Sequence, residues 1–243
     1  MIAVANQDYK ITWEKLPDDY LLPDEPVDNI NQPPLAAALT ESLEVNGRLP
    51  ENALTPTNYG ICATLNDKVA LKAPDWAYIP SISVAREEVK RSYTPQLQGE
   101  TPAVIMEFIS DVDGTEYSVK PTYPPGKWFF YERILKVLNY IILEPETGRL
   151  EVYRLDDAGR YALQEPDENN RYQILEMNLY LGIWQGTRGN RTGNWLRWWD
   201  EQGQMLLWGS ELAEQERQRA EQERQRAERL AAQLRAAGIE PEV

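Results

Sequence analysis

Histidine is absent from all 243 residues, and that zero removes whole mechanisms. Ser-His-Asp and Cys-His triads, His-based metal-dependent nucleases and His-ligated zinc enzymes all need an imidazole. Cysteine occurs once, at Cys62. No intramolecular disulfide can form, and one thiol without imidazoles cannot supply the four N/S ligands of a structural zinc site. A lone cysteine fits a reducing cytoplasm. No apolar run reaches the roughly 18 residues of a membrane-spanning helix. The opening MIAVANQDYK lacks the basic stretch and apolar segment of a signal peptide, so the expectation is a soluble cytoplasmic protein. Positive charge is also scarce, with 25 Lys and Arg against 39 Asp and Glu and a net charge of -14. This weighs against broad nucleic-acid binding, which a basic surface normally dominates. GxxxxGK[ST] and GxGxxG are both missing, leaving nucleotide-driven motors and dinucleotide enzymes without support. Hydrolytic chemistry is left with carboxylates, lysines and a hard cation such as Mg²⁺.

What is present is enough apolar residue, 42% of the chain, for one well-packed domain and an appendage. Residues 1–33 are rich in Pro, Asp and Asn and read as an extended N-terminal arm. Residues 34–208 read as the folded domain. Leu35, Leu39 and Leu43 recur at helical spacing before Gly47, which predicts a helix over 34–46. NYGICATLN (58–66) and KVALKAPDWAYIP (68–80) predict a hairpin turning at Asn66-Asp67. PAVIMEFIS (102–110) is an almost unbroken apolar run and predicts a buried central strand. WFFYERILKVL (128–138) has helical spacing, while NYIILEP (139–145) and RLEVYRLD (149–156) predict two strands joined by a Glu-Thr-Gly turn. RYALQEP and RYQILEM continue this as a meander. Residues 179–208 hold Trp184, Trp195, Trp198, Trp199 and Trp208 and give no clean assignment. Residues 209–238 carry AEQERQR twice in succession, at 213–219 and 220–226. The seven-residue period suits either a solvated helix laced with Glu–Arg pairs or a weak self-association helix that would make a homo-oligomer.

Two carboxylates carry the chemistry. Asp75 follows Pro74 within one expected strand, and Glu107 lies inside the apolar run of the next. A carboxylate in AVIMEFI is costly to bury unless it is paired, protonated or bound to a cation. Two that converge raise each other's pKa and favour a divalent cation between them. The structural alternative is a turn aspartate and a Glu107–lysine ion pair.

The order APDWAYIP, PAVIMEFIS, GKWFFYERILKVLNYIILEP resembles the Uma-type restriction endonuclease family of bacteria, abundant in cyanobacteria and part of the PD-(D/E)XK nuclease superfamily. Matching positions are Pro74-Asp75, Glu107 with Ser110, Lys127 with Tyr131, and Asn139-Tyr140 leading into Ile141-Ile142. LRWWDEQGQML and the Ala-Glu-Gln-Glu-Arg tail also look like the family. The resemblance implies an α/β (α+β) restriction-endonuclease-like fold, a mixed sheet flanked by helices. It implies a Mg²⁺-dependent endonuclease acting on DNA, with Asp75 and Glu107 holding the metal, helped by the Phe108 carbonyl. Lys127 would orient or deprotonate the attacking water and offset charge on the phosphate. The superfamily's lysine commonly stands two residues after the glutamate, and here that residue is Ile109. The family pattern supplies it from the following helix, with Lys127 first and Lys120 second. Asp111-Val112-Asp113 departs from the family's loop after Ser110. The superfamily often adds an acidic residue from the first helix, for which Glu41 and Glu44 are candidates, unless both face solvent.

Two further features stay open. Arg188, Arg191 and Arg197 alternate with Gly and Trp, either as a local nucleic-acid surface or as a structural loop. WFFYER suits core packing or a base-stacking platform. A second reading of function is a catalytically inactive nuclease-like scaffold that binds partners or oligomerises through its tail.

Overall fold

The computed structural model describes residues 10–15, 30–109 and 114–237. Most of the expected N-terminal arm, and the Ser110–Asp113 loop, lie outside the described residues. The chain divides into two compact units, Met1–Leu206 and Leu207–Val243. No helix among the described residues is long and apolar enough to cross a membrane.

The fold is α+β. A two-residue strand β1 (Ile11–Thr12) leads to helix α1 (Gln32–Val45). Pro33 and Pro34 occupy its first positions, where the missing N–H costs nothing. Gly47, at φ 65°, takes the left-handed conformation that stops it. Strands β2 (Gly60–Leu65) and β3 (Lys68–Lys72) form the expected hairpin. Asn66 and Asp67 both have positive φ, 50° and 62°, the geometry that matches a two-residue turn to strand twist. β1 and the short β5 (Ser92–Tyr93) flank β2.

The expected strand over 68–80 is corrected here. It breaks after Lys72, and β4 (Trp76–Tyr78) joins a different sheet. Pro74 cannot donate to a ladder and falls in the break, so Asp75 stands just before β4 rather than mid-strand. β4 pairs antiparallel with β6 (Val104–Phe108), every residue of which is buried as expected. From β6 the chain passes to α2 (Lys127–Phe129), which runs on as a π-helical stretch, Phe130–Leu135, ending at left-handed Lys136. This crossover returns to β7 (Asn139–Glu144), parallel to β6. β8 (Arg149–Leu155) and β9 (Tyr161–Leu163) complete a five-stranded sheet ordered β4-β6-β7-β8-β9.

RYQILEM leaves the expected meander. β10 (Arg171–Ile174) starts a third sheet with β11 (Leu179–Arg188) and β12 (Arg191–Trp199). The Trp-rich segment is therefore mostly one long hairpin. Side-chain alternation gives the central sheet two covered faces. Ala77, Ile105, Tyr140 and Ile142 pack with Ile61 and Ala63 of β2 and with Phe130, Tyr131, Ile134 and Leu135 of the crossover. On the opposite face Trp76 meets Trp198 at 5.9 Å between ring centroids, and its indole N–H donates to Thr40 of α1.

In the second unit, α3 (Gly209–Ala236) has no buried residue. Arg217, Arg219 and Arg224 pair with Glu214, Glu216 and Glu221 one turn away, the i,i+3 spacing that supports a solvated helix.

Candidate active site

Strand register brings the two expected carboxylates together. Trp76 faces Met106 across the β4–β6 ladder, so the next pair outward is Asp75 opposite Glu107. Asp75 Oδ2 accepts the Phe108 backbone N–H at 2.5 Å. Glu107, 1% exposed, points to the face that carries Ile105 and is partnered at both oxygens. Oε2 lies 3.0 Å from Lys127 Nζ, and Oε1 accepts the Tyr131 hydroxyl at 2.9 Å.

Lys127 reaches this point because of how α2 begins. Gly126 packs so closely on Ser118 that a Cβ there would stand 2.2 Å from the Ser118 carbonyl oxygen. Its N–H donates to the Lys120 carbonyl and its own carbonyl accepts from Phe130. This junction fixes the first helical residue against the sheet. Tyr131, four residues on, lies on the same helical face. Lys120, the second lysine candidate, is exposed. Ile109 is tied into the sheet through its N–H to the Leu143 carbonyl, so the lysine in this centre comes from the crossover.

Three residues that sequence reasoning did not place in the site complete it. Glu116, buried in the turn Thr115–Tyr117, accepts from Lys127 Nζ at 3.2 Å. Tyr131 locks the Glu107 carboxylate. Gln32, at the start of α1 and 8% exposed, donates through Nε2 to the Phe108 carbonyl. Glu41 and Glu44 do not contribute: Glu41 pairs with Arg188 of β11, and Glu44 is exposed. The helix thus meets the strand end through an amide at its N-terminus, one turn or more before either glutamate.

Burial raises the Glu107 carboxyl above its ordinary value, with Lys127 and Tyr131 pulling against it. Burial works to lower Lys127, but Glu107, Glu116 and Asp75 outweigh it, and the ammonium is held above its ordinary value. Lys127 is therefore a fixed cation at neutral pH. Tyr131 is pushed well up by burial and then by Glu107, and stays a phenol donor.

Among the described residues, no group of three or more His, Cys, Asp or Glu is placed to hold a metal ion. The oxygen donors nearest in the strand register are the Asp75 and Glu107 carboxylates, with the Phe108 carbonyl next along β6. Three carboxylates act on one ammonium here, and Oε1 of the Gln32 amide, whose other end holds the Phe108 carbonyl, is buried with no hydrogen-bond partner among the described residues. Hard oxygen donors, surplus negative charge and an orphaned amide oxygen suit Mg²⁺, which commonly takes one or two carboxylates and keeps several waters.

Arg197 and the WFFYER aromatics pack into the fold. Arg197 is fully buried, donates to the Leu206 carbonyl and lies over Trp184. Arg191 lies 4.5 Å from the centroid of the Trp195 ring. Phe130 and Tyr131 are in the core, and Trp128 packs edge-on against Tyr153 and Tyr161.

Fold and cluster together define an α+β protein with a buried carboxylate–lysine centre on its central sheet. The family model for Uma2, described as "Putative restriction endonuclease", matches residues 39–188. That is more than half of the chain, and the protein belongs to the Uma2 family. The matched span includes Asp75, Glu107, Glu116, Lys127 and Tyr131, while Gln32 precedes it. A search of the curated proteins finds no match. Family membership points to a nuclease-like function.

Proposed function

We propose that the protein is a Mg²⁺-dependent endonuclease that hydrolyses DNA phosphodiester bonds. The observation that carries this reading is the meeting of Lys127 with Glu107 beside the Asp75–Phe108 bond. Asp75 and Glu107 would hold Mg²⁺ with the Phe108 carbonyl. When bound, the ion supplies a more acidic water and charge stabilisation at the phosphate oxygens.

The chain's own residues account for the rest. Lys127, held cationic, orients the attacking water and offsets charge building on the phosphate; its raised pKa argues against its taking the proton itself. Glu116 keeps the ammonium aimed while a substrate phosphate competes for it. Tyr131 fixes one Glu107 oxygen so that the carboxylate cannot swing away. Binding to an acidic chain would depend on local contacts, so affinity should come from the metal-linked phosphate more than from a broad basic surface.

Calorimetric titration with Mg²⁺, wild type against Glu107→Gln and Asp75→Asn, tests the metal site. Saturable binding by wild type that both substitutions abolish supports the reading. Wild-type protein that binds no Mg²⁺ would contradict it. One observation favours a second reading, a non-catalytic protein that works through partners or self-association: α3 is a long helix with no buried side chain. Concentration-dependent association by sedimentation, in a protein that binds no Mg²⁺, would select that alternative.

A further inference from the structure

The Gln32 amide is half satisfied. Nε2 donates to the Phe108 carbonyl, while Oε1 is fully buried and has no partner among the described residues. A buried acceptor left without a donor is unfavourable, so the amide is not held in this orientation by a full set of bonds. The two ends of a glutamine amide have nearly the same shape, and a half-turn about its last torsion exchanges them. That half-turn would set Oε1 against the Phe108 carbonyl oxygen. Two acceptor oxygens repel at that range, and a cation shared between them removes the repulsion. The Phe108 carbonyl also belongs to the residue after Glu107, whose N–H is held by Asp75. The amide therefore stands at the edge of the oxygen donors already described.

We propose that Gln32 is a further metal ligand that also responds to occupancy. Without a divalent cation its N–H group caps the Phe108 carbonyl, and with one bound it turns to present Oε1. The inference rests on the proposed Mg²⁺ site and adds to it a ligand from α1. Helix α1 and strand β6 would then be joined by a neutral hydrogen bond in one state and through the ion in the other. Pro33 and Pro34 follow Gln32 directly and stiffen the backbone on which the amide turns.

The test uses the full chain as wild type, Gln32→Met, Gln32→Glu and Glu107→Gln. Mg²⁺ and Mn²⁺ affinities are read by calorimetry, and melting temperature is read in chelator and in excess Mg²⁺. Gln32→Met keeps length and apolar volume and should weaken Mg²⁺ binding about tenfold or more, the scale for losing a ligand or its close support. Gln32→Glu places a carboxylate against the carbonyl. It should lower the melting temperature in chelator, bind Mg²⁺ more tightly than wild type, and recover its melting temperature when Mg²⁺ is added. A purely structural strut would give Gln32→Glu a loss of stability that Mg²⁺ does not reverse, and that result overturns the proposal. Gln32→Met binding Mg²⁺ like wild type overturns it too, leaving the Asp75–Glu107 site standing if Glu107→Gln abolishes binding. Binding unaffected by Glu107→Gln, or none by wild type, removes the site and this inference together.

Discussion

Replacing Lys127 with Met removes one partner of a buried ion pair and leaves the other in place. Glu107 is 1% exposed, and the Lys127 side chain is 25% exposed. Breaking a fully buried pair from one side costs about 3–5 kcal/mol. The part-exposed ammonium and the remaining Tyr131 hydrogen bond lower this, so the expected cost near neutral pH is about 2–3 kcal/mol. For a unit of this size, about 2–4 °C is lost per kcal/mol, which gives a drop of about 4–12 °C in melting temperature. The pH dependence is diagnostic. A buried carboxyl whose pKa is raised contributes stability fully present below its unfolded value and lost as pH rises through its folded value. Without Lys127 the folded value moves further up, so the penalty should be smaller at an acidic pH, where the carboxyl is protonated, than at an alkaline one. Adding Glu107→Gln to Lys127→Met removes the stranded charge and should recover at least half of the loss. Thermal melts of the four members of this cycle at both pH values are the assay. A loss of equal size at both pH values, or a double variant no more stable than Lys127→Met, would refute the reasoning.

Tyr131→Phe deletes one donor to a charged oxygen and should cost about 1.5–3 kcal/mol in chemical denaturation. Gly126→Ala drives a Cβ onto the Ser118 carbonyl and should destabilise by about 1–3 kcal/mol. It should also weaken any activity more than its stability loss explains, because it displaces Lys127; thermal melts and rate measurements on the same sample decide this. Asp67→Gly relieves a left-handed residue at φ 62° in the β2–β3 turn and should raise the unfolding free energy by up to about 1 kcal/mol, read as a higher denaturant midpoint.

Local pattern made several parts of this protein readable. Helical leucine spacing before Gly47 placed α1 within two residues, and the unbroken apolar run placed β6. The Asn66-Asp67 turn was legible because few residue types accept positive φ twice in succession. What local pattern could not show is which sheet a strand joins. KVALKAPDWAYIP reads as one extended segment, and only tertiary pairing reveals that Pro74 divides it between two sheets. The Trp-rich hairpin was unreadable for a similar reason: β11 and β12 interrupt their alternation with Gly182, Gly186 and Gly193.

The centre divides in the same way. Asp75 and Glu107 stood out because a carboxylate in an apolar strand is chemically conspicuous, and Lys127 entered through family resemblance. Glu116 sits in a polar loop that resembles any solvated segment, and its burial depends on a turn folding under Lys127. Gln32 lies in the Pro-, Asp- and Asn-rich stretch that reads as an extended arm, where nothing local marks it out. Glu41 and Glu44 of α1 stood as candidates or as solvent-facing residues, and Glu41 pairs instead with Arg188, a residue 147 positions further along the chain.

Nicking of supercoiled plasmid DNA tests the central claim most directly, with wild type, Glu107→Gln and Lys127→Met purified in parallel and assayed with Mg²⁺ and with chelator. The account predicts Mg²⁺-dependent nicking by wild type, at least about a hundredfold slower for both variants. Nicking that persists at the wild-type rate in Glu107→Gln, or wild-type protein inert under conditions where it binds Mg²⁺, would contradict it.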